Sequence, residues 1–371
     1  MAHEPCSPSS PLRAGGDAAA DGSGTVRGSG GPVAFAFLMA GERSGSNLLT
    51  RMVDAHPQCC GPAPLHALRI LAPRLPVYGA LDAEPAWQAL IEHLLGLWDA
   101  KLGPWTTRPS AALLRSVRPR SLAALVRSLY ETEARAQGKR LVLVKEVGLH
   151  RFVAYLLVHF PQARFIHLVR DPRDVAASWK ASPSHRGGVL RAVGRWCEEQ
   201  AAALQLRAWL GEAGRIHGLR YEDLIVRPEH ELRAVCSFLG ADFHPRMLAF
   251  HRQAQTRRMA ARADNWRNLD RPLQTGRVGR HRELLSEDEC RYVEGRCAPL
   301  MQAFGYLPEH GTTHDLEALE ARLACLEPVD KPSYRNLGAD ERRRRARWER
   351  VVRAIERYAA EGVHDPAGAA A

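Results

Sequence analysis

The run 33–39, V-A-F-A-F-L-M, is apolar without interruption, and after a turn rich in glycine and serine the apolar positions resume as Leu48, Leu49, Met52 and Val53. An unbroken apolar run reads as a buried strand and the later spacing as one face of a helix, so 33–57 predicts strand, turn, helix. A second apolar run at 141–144 (L-V-L-V) and the stretches 165–169 (F-I-H-L-V) and 216–221 (I-H-G-L-R-Y) read as further strands. Helical spacing fills 81–97, 122–137, 149–159 and 191–210. Pro228 opens a further helix that ends near Gly240, because proline suits a first turn and glycine an end. Ser286-Glu287-Asp288-Glu289 is a capping box that starts a helix running to about Phe304. Strands alternating with helices predict an α/β fold: a three-layer arrangement around a mostly parallel sheet.

Both ends differ from this middle. Residues 1–32 are dominated by Gly, Ala, Ser and Pro and lack the apolar content to offset ordering entropy, so they predict a disordered tail. Residues 33–308 are expected to form the main domain. Beyond Pro308, Leu316, Leu319, Leu323 and Leu326 form a narrow stripe, suited to packing on the core or to a short helix pair, which allows a homodimer through the C-terminal helices. A strongly basic helix is predicted over 342–358, with a frayed end from Gly362. Residues 309–371 are therefore expected to be a helical C-terminal extension.

The turn between the first strand and helix carries candidate chemistry. In G-E-R-S-G-S-N (41–47) successive backbone N–H groups converge, the helix start has N–H groups without intrahelical partners, and the helix dipole adds positive charge. An anion fits there. Gly45 permits close approach, Ser44, Ser46 and Asn47 add donors, and Arg43 adds a guanidinium fork. The loop lacks the lysine of a nucleoside-triphosphate loop, G-x-x-x-x-G-K-[ST]. A second stretch, L-V-R-D-P-R-D-V-A-A-S (168–178), places Arg170 at a strand end, Asp171-Pro172 in a turn, and Asp174 at the start of a helix that carries Ser178.

R-S-G-S-N after one strand and L-V-R-D-P-R-D-V-x-x-S after another resemble, in order, the two nucleotide-binding motifs of sulfotransferases that use 3′-phosphoadenosine 5′-phosphosulfate (PAPS). The resemblance covers roughly 33–308 in ordered pieces. It implies a fold like that of the phosphate-loop sulfotransferases, PAPS as donor and adenosine 3′,5′-bisphosphate (PAP) as product. The first loop would hold the 5′-phosphosulfate, and Arg170 and Ser178 the 3′-phosphate. Lys145 falls where tyrosylprotein sulfotransferases have a catalytic lysine. With Arg43 it is the expected cation at the sulfonate and the bridging oxygen. Tyr221 matches a Y-E-x-L segment that touches the donor in similar enzymes. Q-T-G-R-V-G-R (274–280) resembles the late loop that closes over the nucleotide, with Arg280 favoured over Arg277 as the phosphate contact. The glutamate that follows the corresponding C-G pair in the tyrosylprotein enzymes is absent after Cys60-Gly61. His66, an imidazole expected to titrate near neutral pH, is the substitute base, with its rival reading a packing or capping histidine. His56, followed by Pro57, more simply closes a helix.

Composition narrows the partners. The chain has 371 residues and a formal charge of +11, with 52 Lys and Arg against 41 Asp and Glu, which favours anionic ligands. The arginines lack interleaved aromatics and zinc-ligand spacing, so a solvated basic helix is preferred over nucleic-acid binding. Eight cysteines without a C-x-x-C read as free thiols, and neither a membrane span nor a signal peptide is expected, which points to the cytoplasm. No metal site is expected, since alignment and charge neutralisation suffice for sulfuryl transfer. A kinase-like transferase is disfavoured by the missing loop lysine and magnesium-binding carboxylate. A non-catalytic basic scaffold or nucleic-acid protein is the third alternative. The acceptor, whether a small molecule, carbohydrate or peptide, should be selected by 62–119 and the segment beyond 308, with 105–119 as a wall or lid.

Overall fold

The computed structural model describes residues 31–183, 185–311, 315–327 and 338–362. The expectations for the tail before residue 31 and for the end after Gly362 lie outside the described residues. Five parallel strands form one sheet in the order β2-β3-β1-β4-β5: β1 (Ala34–Ala40), β2 (Cys59–Cys60), β3 (Leu141–Lys145), β4 (Arg164–Val169) and β5 (Ile216–Arg220). β1 is central, with β3 on one side and β4 on the other, so the chain direction across the sheet reverses at its carboxyl end. Open α/β sheets bind ligands at such a point.

Alternation along the strands separates two apolar layers. Phe35, Phe37, Val142, Val144 and Phe165 face one helical layer, while Ala36, Leu38, Leu141, Leu143, Ile166 and Leu168 face the other. This is the three-layer α/β arrangement, with both faces of the sheet covered as parallel sheets require. β2 is a short edge strand that the sequence pattern did not reveal, because two residues carry no period. After Leu65 the chain forms a short helix, Ala67–Leu71, and passes into a tighter turn at Ala72–Tyr78, where Pro73 and Pro76 cannot donate to an α-helical ladder. The helix expected to start at Asp174 begins at Pro172, with Asp171 accepting from Arg173 N at 2.9 Å as its cap. The capping box forms as expected, on the helix Glu287–Ala303.

The stripe on Leu316–Leu326 is used within the chain. Leu319 and Leu323 are buried among residues of the helix Glu287–Ala303, while Leu326 is exposed. The basic helix Ala339–Gly362 is anchored by its apolar side: Ile355 is buried, and Trp348, Val351, Val352 and Tyr358 pack on the same core, with Val351 against Gly96. It is thus more than a solvated strip of charge.

One buried ion cluster joins the first helix, Ser46–Asp54, to the sheet edge. Asp54 pairs with Arg51 at 3.1 Å and Lys139 at 3.3 Å and accepts from Gly61 N at 2.8 Å, and Arg51 is fully buried. Asp54→Ala leaves that guanidinium without its carboxylate and is expected to lower the unfolding free energy by about 3–5 kcal/mol. Chemical denaturation measures this; a loss below about 1 kcal/mol would show that solvent reaches Arg51.

Candidate active site

β1 delivers the chain into a loop that only particular residues fit. Arg43 and Gly45 both have positive φ, 68° and 89°, and a Cβ on Gly45 would lie 2.4 Å from the Tyr221 ring. Glycine is needed there for conformation and for clearance. At Gly41 a Cβ would lie 2.5 Å from Glu199 Oε2. The first intrahelical bond runs from Leu49 N to Gly45 O at 3.1 Å, which leaves the N–H groups of Ser46, Asn47 and Leu48 without intrahelical acceptors at the positive end of the helix.

Arg170, directly after β4, organises the other wall. It donates to the carbonyls of Arg43 (3.0 Å) and Arg277 (2.6 Å), pairs with Asp174 at 3.4 Å, and lies with its guanidinium carbon 4.3 Å from the Tyr221 ring centre. Its own carbonyl accepts from Trp196 Nε1 at 3.0 Å, and its Nε is buried with no protein partner. Asp174 accepts from Gly279 N (2.9 Å), His281 N (3.0 Å) and His281 Nδ1 (3.0 Å), which fastens the late loop to the helix Pro172–Lys180. Arg173 is instead locked between Asp171 and Glu294, both at 2.7 Å. Of the two arginines in R-D-P-R-D, the second is structural.

Two cavities meet at the loop. The first, of about 270 Å³, is lined by Arg43, Gly45, Ser46, Asn47, Arg170, Ser178, Tyr221, Arg277 and Arg280. Across it Arg43 Nε donates to Ser178 Oγ at 2.9 Å. The second, of about 590 Å³, shares Arg43, Ser46, Asn47, Asn265 and Arg267 and adds Glu42, His66, Arg69, Lys145 and His185. β3 places Lys145 there because its Cα is in register with Leu38, three residues before Gly41.

Burial, and then the neighbouring Arg170, takes the Arg43 guanidinium down to about 10, and burial takes the Lys145 ammonium down to about 8 against the pull of Glu42. Burial opposes ionisation of Glu42, but a hydrogen bond from His185 at 2.9 Å and that residue's charge outweigh it and hold the carboxyl at about 2. His66 is pushed down to about 3, by burial first and then by Lys145 and Arg69. That departs from the near-neutral value expected of it. Its Nδ1 is buried without a partner and its φ is 62°.

The expected residues therefore divide. Arg43, Ser46 and Asn47 line both cavities; Gly45, Arg170, Ser178, Tyr221, Arg277 and Arg280 line the first; His66 and Lys145 line the second. Ser44 is the exception: its side chain is fully buried behind the loop, outside both linings, with its hydroxyl near Gly41. Glu146, next to Lys145 in the chain, reaches the start of the helix Ala67–Leu71, accepting from Arg69 N at 3.0 Å. His56 accepts from Gln58 N and contacts Asp242 O, as a helix-closing residue should. Sequence reasoning missed Glu42, Arg69, Asp174 as a fastener, His185 and Arg267. Glu42 carried a usable signal, its place inside the anion loop. The others are brought in by the fold alone. Among the described residues no group of three or more His, Cys, Asp and Glu is arranged to hold a metal ion.

A model of the sulfotransferase family matches residues 36–245. The chain is 31% identical over 194 residues to carbohydrate sulfotransferase 6 of Homo sapiens, an alignment that takes in 45% of this chain and 48% of that protein. It is 33% identical over 142 residues to omega-hydroxy-beta-dihydromenaquinone-9 sulfotransferase Stf3 of Mycobacterium bovis, covering 34% of this chain and 36% of that one. The chain thus spans about half the length of the first of these relatives, and less of the second. In fold it is similar to the sulfotransferase domain from the Synechococcus PCC 7002 olefin synthase, with a TM-score of 0.53, 23% identity, and coverage of 74% of this chain and 96% of that one.

The Asp174 fastening has a pH signature. Burial opposes ionisation, but the bond from His281 and the charge of Arg170 hold the folded carboxyl at about 2, below its ordinary 3.8. The group's contribution is therefore complete above pH 3.8 and is lost as pH falls through about 2. Asp174→Ala is expected to cost about 3 kcal/mol at neutral pH, with the gap to wild type closing towards pH 2, and to speed hydrogen exchange at Gly279 and His281. Unchanged exchange at both amides would show that the late loop is held elsewhere.

Proposed function

The chain belongs to the sulfotransferase family, and on that premise we propose that it moves a sulfonate group from PAPS to a hydroxyl of an acceptor bound in the larger cavity. The observation that carries this reading is the meeting of two cavities at Arg43, Ser46 and Asn47 of the loop and at Asn265 and Arg267, which sets a donor and an acceptor on either side of one shared wall. In this reading the helix start and loop hold the 5′-phosphosulfate. Arg170 Nε, buried and unpartnered, and Ser178 hold the 3′-phosphate. Tyr221, Arg277 and Arg280 close the nucleotide side. The carbohydrate and omega-hydroxy names of the two relatives support a hydroxyl rather than an amine as acceptor.

The reaction forms a bond from the acceptor oxygen to sulfur and breaks the bond from sulfur to the bridging oxygen, whose electron pair leaves with the nucleotide as PAP. Lys145 and Arg43 neutralise that developing charge. The acceptor proton passes to His66 Nδ1, which is neutral at physiological pH and free to accept. An anionic donor offsets the share of its low basicity that comes from Lys145 and Arg69, while the larger share, from burial, remains. Glu42 is the second reading for the base, because its carboxylate lines the same cavity in a 2.9 Å bond with His185. Residues 33–308 are proposed as the catalytic unit. The seven described cysteines are unpaired, which supports a reducing, cytoplasmic setting, and no described helix is long and apolar enough to cross a membrane.

Calorimetric titration tests the donor side. PAP is expected to bind at least about 100-fold more tightly than adenosine 5′-monophosphate, and Ser178→Ala or Arg170→Lys to narrow that ratio by about tenfold. Equal affinity of the wild type for both nucleotides would overturn the donor assignment. On the catalytic side, Lys145→Ala and His66→Asn, the latter chosen because asparagine tolerates positive φ, are each expected to lower turnover about 100-fold or more with PAP affinity unchanged. Turnover lost in Glu42→Gln but retained in His66→Asn would transfer the base to Glu42.

A further inference from the structure

Beyond Lys145 the larger cavity does not end in neutral surface. Two more cavities adjoin it, of about 690 and 550 Å³, and Arg262 lines all three. Lys101 and Arg347 line both outer ones, Arg350 the first of them, and Arg343 joins the second to the larger cavity. Among the described residues lining the two outer cavities, Asp99 is the one carboxylate, and it is paired with Arg108 at 3.0 Å.

These cations come from three separate stretches: the end of the helix Glu84–Ala100, the segment after the helix Ala254–Ala260, and the helix Ala339–Gly362. Arginines scattered by composition would spread apart over the surface. Here tertiary structure brings Lys101, Arg262, Arg347 and Arg350 together around one open cavity, where a bound anion would meet several cations at once. Burial, aided by Arg108 and Arg262 and opposed by Asp99, already takes Lys101 down to about 8. On the C-terminal helix Arg343, Arg347 and Arg350 follow one another at i, i+4 and i+7, on one face, spanning about 10 Å. The apolar side of that helix, at Val351 and Ile355, is held against the core, so the arginine face is presented rather than trailing. The far end of the track is polar, with Thr106 and Thr107 beside Trp105.

We propose that this track binds the anionic portion of the acceptor, an oligosaccharide bearing two or more carboxylate or sulfate groups beyond the hydroxyl presented at Lys145. The inference rests on the sulfotransferase reading and deepens it by naming the acceptor class. Polar walls of this kind fit a hydrophilic chain better than acyl groups, and the span fits charges on successive sugar units.

The test uses the full chain saturated with PAP and a fluorescent dextran sulfate oligosaccharide, with neutral dextran of equal length alongside. Anisotropy is expected to report binding of the sulfated probe, with the neutral one about 100-fold weaker. Arg347→Glu with Arg350→Glu is expected to weaken the sulfated probe at least about tenfold and to flatten its salt dependence, with PAP affinity unchanged. Arg233→Glu with Arg246→Glu, on exposed residues elsewhere, supplies the same change in net charge. An equal loss in that control would reduce the effect to bulk charge and overturn the proposal. It is overturned equally if the double variant binds like wild type, if PAP displaces the probe, or if phosphatidylglycerol vesicles depend on Arg347 and Arg350 while the oligosaccharide does not. Failure of the wild type to bind PAP would strike the donor reading instead, which separates the two.

Discussion

The guanidinium of Arg170 ties together the loop after β1, the end of β4 and a loop more than a hundred residues further on. Its N–H groups reach the carbonyl of Arg43 in the first loop and the carbonyl of Arg277 in the last, while Asp174, one helical turn on, takes its charge and the amides of Gly279 and His281. Each bond alone contributes about 1–3 kcal/mol, as charge-assisted bonds do. Together they fix where a loop from β1, a strand end from β4 and a distant loop after residue 274 stand relative to one another. Both loops have positive or irregular backbone angles and could not hold these positions by local preference. The Tyr221 ring completes the arrangement by filling the space that Gly45 leaves open.

That dependence explains which features were legible in the sequence. The strands were, because the apolar stretches at 33–39, 141–144 and 165–169, the last broken only by His167, fit a sheet covered on both faces, and β1, β3, β4 and β5 fall within a residue or so of the expected limits. The anion loop was legible as well, since Gly45 and the serines beside it follow a strand and open a helix. Less legible was anything determined by contacts across the chain. Arg170 and Arg173 look equivalent in R-D-P-R-D, and only Glu294, more than a hundred residues away, makes the second structural. Ser44 and Ser46 look equivalent in the loop, yet one faces the core and the other the cavities. Periodicity cannot decide such cases.

Electrostatics divides the two cavities in the same tertiary way. The smaller one gathers Arg43, Arg170, Arg277 and Arg280 with Asp174 as the neighbouring carboxylate, and that carboxylate is committed to backbone amides. The larger one sets Lys145 and Arg69 against Glu42, whose low pKa keeps it ionised and keeps Lys145 largely charged despite burial. A cation that burial would otherwise neutralise is thus held ready by one carboxylate two strands away in sequence but adjacent in register. Both cavities are lined mainly by cations, and the larger one differs in carrying a carboxylate, Glu42, beside Lys145.

Strain falls in the same place. Among the described residues only two that are not glycine have positive φ, Arg43 at 68° and His66 at 62°, and both line the larger cavity beside Lys145. Neither side chain relieves its own backbone cost, which for such residues is of order 1–3 kcal/mol. His66 adds a second cost, a buried ring nitrogen with no partner, close to two cations that disfavour its protonation. A histidine serving only to cap its helix would accept an N–H of the first turn, but Glu146 already occupies that position through Arg69 N. With the capping role filled by another residue, packing alone does not account for a strained backbone, an unpartnered nitrogen and a suppressed charge at one residue. An anion and a hydroxyl arriving between Arg43 and Lys145 would give the ring nitrogen a partner and offset the neighbouring cations, and this is the physical ground on which His66 stands as the proposed base.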